Sequence, residues 1–148
     1  MASLSFGELR ITGVQDNVIS FLKNAIEDYK GGCECDGEFI FKYSEEWRAR
    51  HLKGTEGCFV NVNTINAYHP WLEVSSEEEH KRTLAANISI ECCGDLDCSG
   101  LMEASKHYKI NIRGAVGNDK FFHEVNIRNG EVELDNLHEY KDEDGGED

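Results

Sequence analysis

The sequence predicts an α+β domain with two helices on one face of a mainly antiparallel sheet. Three observations lead there. Apolar residues recur at helical spacing in two separated stretches, near residues 16–29 and 97–107. The segments between and after them alternate apolar and polar with period two. Near the end, Asn129-Gly130 separates two alternating runs, a strong hairpin signal.

In chain order, Leu4 to Thr12 alternates and reads as a strand ending at Gly13. Asp16 is a suitable N-cap, and Val18, Ile19, Phe21, Leu22, Ala25, Ile26 and Tyr29 fall at helical spacing, so a helix is expected from about Asn17 to Tyr29. Gly31-Gly32 then stops it. Glu38–Tyr43 is a second strand, and residues 44–52 suit either a short helix capped by Ser44 or a hairpin arm. Cys58–Ile65 forms a third strand with Cys58, Val60, Val62 and Thr64 on one face, which makes Cys58 a buried small hydrophobe. Tyr68–Trp71 is loop, Trp71–Val74 a short strand, and Glu77–Arg82 a solvated charged turn.

From Leu84 the set Leu84, Ala86, Ile88, Ile90 and Cys92 alternates cleanly along a long strand. Asp97 can cap the second helix, which turns Leu101, Met102 and Ser105 to one side and ends near His107. Lys109–Gly114 is another strand, followed by the hairpin of Phe121–Ile127 and Glu131–Leu134. This order fits a ferredoxin-like core with hairpin additions.

At 148 residues, 39% hydrophobic and 30% charged, the chain has the composition of one globular domain. Its only proline is Pro70. Residues 1–138 are expected to form the domain and residues 139–148 an acidic flexible tail. No basic-plus-apolar leader and no membrane-length apolar run is read, so the expectation is a cytoplasmic protein without membrane contact. The net charge is −14; six acids and one lysine in residues 139–148 give −5 of it, leaving −9 on the fold. That surface repels nucleic acid and favours basic partners.

Chemistry concentrates at the cysteines. Cys33 and Cys35 lie in one glycine-rich turn, and Cys92, Cys93 and Cys98 surround another. In a reducing compartment clustered cysteines suit a metal better than disulfides. The expectation is one structural zinc held by Cys33, Cys35, Cys98 and either Cys92 or Cys93, since tight turns let sulfurs converge on a tetrahedron. Cys98, at a helix N-terminus, is expected to have a lowered pKa, which fits metal binding and thiol reactivity equally. Reduced, buried cysteines without metal are the competing reading.

The phosphate-loop, dinucleotide, metalloprotease and nucleophile-elbow motifs do not occur, and the six histidines show no paired spacing, so no enzyme is expected. Each histidine is read as a surface or satisfied residue, and Asp95/Asp97 as caps. Trp47, Tyr68, Trp71 and Phe121/Phe122 are read as core before partner anchors.

The opening Leu9–Leu22, the run from Cys92 to Cys98 and the segment Phe121–Val132 resemble many small phage-encoded α+β proteins. Among these, an acidic, cysteine-bearing chain is similar to anti-CRISPR proteins that inhibit the type II RNA-guided nuclease. The resemblance implies a non-enzymatic monomer or small oligomer that binds the host's type II CRISPR effector nuclease, opposes its basic channel and contacts no nucleic acid directly. It carries over no functional residue. The alternatives are a phage accessory or structural zinc module and a thiol-dependent enzyme.

Overall fold

The structure is a computed structural model that describes residues 4–28, 34–35, 38–39, 50–69 and 82–140. Its elements are β1 (Leu4–Val14), α1 (Gln15–Asn24), β2 (Ile26–Asp28), β3 (Glu34–Cys35), β4 (Glu38–Phe39), β5 (Arg50–Leu52), β6 (Cys58–Tyr68), β7 (Thr83–Cys93), α2 (Cys98–Tyr108), β8 (Asn111–Gly117), β9 (Phe121–Arg128) and β10 (Glu131–Glu139). Eight strands form one sheet in the order β10-β9-β8-β1-β7-β6-β5-β2, and β3 pairs with β4 separately. Every pairing is antiparallel. The α+β expectation, helices on one face of a mainly antiparallel sheet, holds.

Alternation decides which face each residue takes. Leu9 and Ile11 of β1 point the same way as Ile88 and Ile90 of β7 and Ile112 and Val116 of β8, and all six are buried. The helices cover this face with Val18, Phe21 and Leu101, and the Phe21 ring meets Tyr108 edge-on at 5.5 Å between centroids. Fully burying an aliphatic or aromatic side chain of this size contributes about 1.5–3 kcal/mol. The opposite face carries Phe6, Glu8, Arg10, Arg113 and Glu124 and stays more open.

Three elements depart from the sequence expectation. α1 starts at Gln15 with Val14 as its N-cap residue, so Asp16 lies in the first turn, where it favours the helix dipole, and caps nothing. It also ends at Asn24, because Ile26–Asp28 pairs with Arg50–Leu52 and Ala25 O accepts from Lys53 N–H at 2.7 Å. Edge-strand pairing thus removes the last turn that spacing alone would add.

In β6 the register slips between Asn61 and Asn66. The slip exposes Thr64, whose hydroxyl accepts from Ser89 N–H at 3.0 Å and donates to Asn61 O at 2.7 Å. β10 also runs five residues past Leu134, to Glu139.

The second helix and the hairpin follow the expectation. Asp97 caps α2, accepting from Gly100 N–H at 3.1 Å. Asn129 and Gly130 adopt φ 54° and 77°, as a two-residue hairpin turn requires. The expected features at residues 40–49 and 70–81, including Trp47 and Trp71, lie outside the described residues.

Ser105 ties the second helix to that hairpin. It is fully buried; its hydroxyl donates to Ile110 O at 2.6 Å and accepts from Gly130 N–H at 2.9 Å. Ser105→Ala strands a buried donor and a buried acceptor, so urea unfolding should show a loss of about 1–3 kcal/mol.

Glu91 gives a second test. On the open face it stands between its register neighbours Phe6 and Phe59, and desolvation raises its pKa above 4.5. A carboxyl with a raised folded pKa contributes stability that is present below its ordinary pKa and lost as pH rises. Glu91→Gln should therefore raise the thermal midpoint at pH 7 and leave it unchanged at pH 3. Equal midpoints at both pH values would place Glu91 in open solvent.

Candidate functional site at the N-terminus of the second helix

Where β7 ends, the chain turns through Gly94 and enters α2, with the 53–57 loop lying against the first helical turn. Gly100 permits that approach: a Cβ there would meet Gly54 O at 2.5 Å and Thr55 Cα at 2.9 Å. Asp97 fastens the same loop, because its Oδ2 accepts from Glu56 N–H at 2.9 Å.

This corner opens into a cavity of about 540 Å³ lined by Cys93, Asp95, Asp97, Cys98, His123, Asp135 and their neighbours. His123 is buried at 3% exposure and fixed at both nitrogens. Nδ1 accepts from Leu96 N–H at 3.0 Å, so the neutral ring carries its proton on Nε2, which donates to Asp135 Oδ1 at 2.6 Å.

Asp135 also lines the cavity beside Cys98, and its carboxylate disfavours the Cys98 thiolate. It thereby links a histidine from β9 to a cysteine from α2. Both imidazole nitrogens are taken by Leu96 and Asp135, so neither is hydrogen-bonded to the cysteine.

The electrostatics run against a nucleophile. Partial burial, followed by the charge and hydrogen bond of Asp135 and the charge of Asp97, raises the Cys98 pKa above 9.0. This corrects the lowered pKa expected from the helix terminus: burial, with two carboxylates added, outweighs a dipole end worth about half a charge.

The five candidate zinc ligands are distributed as follows. Cys33 and the side chain of Cys35 lie outside the described residues. Cys92 points into the core beside its register partner Cys58, and both are buried free thiols. The Cys58 thiol donates to Cys92, and that bond, followed by burial, holds its pKa well above 9.0. Cys58 is thus the buried small residue its strand position predicts.

Cys93 faces the other way and is disulfide-bonded, contrary to the expectation of reduced cysteines. Cys98 borders the cavity. Among the described residues no group of three His, Cys, Asp or Glu side chains is arranged to hold a metal ion.

Sequence reasoning reached Cys98, Asp97 and a satisfied His123 but missed Asp135, which joins them. The strand expected over Glu131–Leu134 stopped one residue short of it, so the nearby hairpin turn was its only sequence signal. No family model, curated protein or solved structure matches the chain. No helix among the described residues is long and apolar enough to cross a membrane.

Alkylation tests the Asp135 link. Iodoacetamide on the native protein should label Cys98 first and leave Cys58 and Cys92 unmodified until unfolding, as followed by mass spectrometry. Asp135→Asn should accelerate Cys98 labelling at pH 8 by enlarging its thiolate fraction. An unchanged rate would show that Asp135 does not hold the thiol.

Proposed function

We propose that the protein is a non-enzymatic binding module whose β10 edge docks on a basic surface of a nucleic-acid-handling protein. The observation that carries this reading is β10 itself. It is the last strand of the eight, no described strand pairs with its outer edge, and every residue from Glu131 to Glu139 is exposed.

Glu131, Glu133, Asp135 and Glu139 are interspersed with Val132, Leu134 and Leu137, whose exposures are 40%, 41% and 46%. An unpaired edge invites another strand, and proteins protect such edges with charge. Here all four charges are negative, so the edge repels a second copy of itself and attracts a cationic one. Added main-chain hydrogen bonds would supply affinity, and the half-exposed apolar side chains residence. Carboxylates chiefly steer encounter, since exposed ion pairs contribute only about 0–1 kcal/mol each.

The resemblance to anti-CRISPR proteins makes the type II effector nuclease the specific partner in this reading, with its basic heteroduplex channel as the surface met. The raised Cys98 pKa supports a binding protein over a thiol enzyme. For the scaffold we read a ferredoxin-like core: β8-β1-β7-β6 are neighbours in that order, with α1 after β1 and α2 after β7. The β9-β10 hairpin and β5-β2 extend it at the two ends.

Association of the full chain with the nuclease–guide complex, across salt and with or without target DNA, tests the proposal. The double variant Glu131→Lys/Glu133→Lys should slow association by about tenfold at low salt and flatten its salt dependence. Leu134→Ser should shorten residence, and deletion of 141–148 should slow encounter only modestly. Undetectable binding at every salt concentration would remove the nuclease as partner, and salt-independent binding would remove the charge mechanism.

A further inference from the structure

The open face of the sheet carries a second feature, centred on β1 and β8. Arg10 on β1 stands directly opposite Arg113 on β8, and Arg113 directly opposite Asn126 on β9. Arg128 lies two residues further along β9.

Like charges directly opposite one another on neighbouring strands destabilise a sheet. A position selected for stability alone would take a carboxylate at one of the two. Yet among the described residues neither Arg10 nor Arg113 has a carboxylate within ion-pair distance. The Arg10 guanidinium instead lies over the Tyr68 ring, 5.9 Å from its centroid. Arg128 has one long contact, Nε to Glu133 Oε1 at 3.9 Å, between side chains 62% and 48% exposed.

The three arginines line a depression of about 270 Å³ with Thr12, Asn111 and Asn126, and no carboxylate lines it. The acids nearest the depression stand at its β10 side, where Glu131 is the register partner of Arg128 and Glu133 makes the long contact with it, while Glu8 and Glu124 flank Ala115 on the other side. In a chain with 29 acidic and 15 basic residues, three cations gathered without a lining acid form a local reversal of sign.

We infer that this depression binds the phosphate group of a small ligand. Guanidinium groups present paired N–H donors that match a phosphate bidentately, and Thr12, Asn111 and Asn126 add a hydroxyl and amides at the rim. The surroundings select for compactness. Screening confines the three positive charges to about 8 Å at physiological ionic strength. A polyanion would extend past them over Glu8 and Glu124, against a protein of net charge −14. A small anion stays within the favourable zone. The facing arginines thus act as an incomplete arrangement that an oxyanion completes.

The test follows backbone amide shifts of the ¹⁵N-labelled full chain titrated with inorganic pyrophosphate at constant ionic strength, with sodium chloride as the matched control. Saturable shifts centred on Thr12, Asn111 and Asn126 are expected. Arg10→Gln or Arg113→Gln should weaken binding by at least about tenfold without lowering the thermal midpoint, because each also relieves the repulsion. Should a glutamine variant unfold, Arg113→Lys decides the matter: it keeps the charge, loses the fork and should bind more weakly. A nucleoside diphosphate titrated in parallel separates two sources, binding more tightly if the native ligand is an ester and equally if it is the bare ion. Shifts no larger than those of chloride, shifts retained in the Arg10→Gln/Arg113→Gln double variant, or saturation by a single-stranded oligonucleotide alone would overturn the inference.

Discussion

The β1–β7 ladder is the constraint on which the rest of the molecule depends. Eleven consecutive residues of each strand pair without interruption, from Leu4 opposite Cys93 to Val14 opposite Thr83. Side chains alternate strictly along such a ladder, so one register determines at once which residues the helices cover. It sends Leu9, Ile11, Ile88 and Ile90 inward and leaves Phe6, Arg10 and Glu91 on the open face. It also separates Cys92 from Cys93, two adjacent residues with different fates: one buried beside Cys58, the other in a disulfide. A slip of one residue would exchange them and expose the core.

Around this ladder the molecule distributes charge unevenly. Acidic side chains dominate overall and line the β10 edge, where they oppose self-association. Basic side chains meet on the open face across β1, β8 and β9. The corner at the start of α2 is different again: it holds a histidine, a thiol and carboxylates, with the histidine hydrogen-bonded at both nitrogens. Its hydrogen bonds make it a structural joint between helix and hairpin, and Cys98 is kept protonated within it.

Local signals were legible in the sequence where neighbours along the chain decide the outcome. The Asn129-Gly130 turn, the Asp97 cap and the alternation of β7 all depend on a few adjacent residues, and all three hold. The features that differed depend on distant partners. α1 loses its last turn to pairing with β5, and the slip in β6 turns Thr64 outward toward Ser89. The Asp135 carboxylate acquires its role only when a hairpin 37 residues downstream of Cys98 folds back across α2. Electrostatics at Cys98 likewise reversed an argument from the helix end, since no periodicity places Asp135 against the thiol.

The pairing of β1 also bears on how the chain comes off the ribosome. Among the described strands β1 pairs with β7 and β8, whose partner residues lie between about 69 and 111 positions further along. At synthesis rates of roughly 5–20 residues per second, β1 waits several seconds or more for a partner. During that interval Leu9 and Ile11 have no sheet to join, and only α1 can form beside them. Among the described strands β1 is therefore the one that waits longest for its partners, and it is the segment that most needs shielding from other chains in that interval.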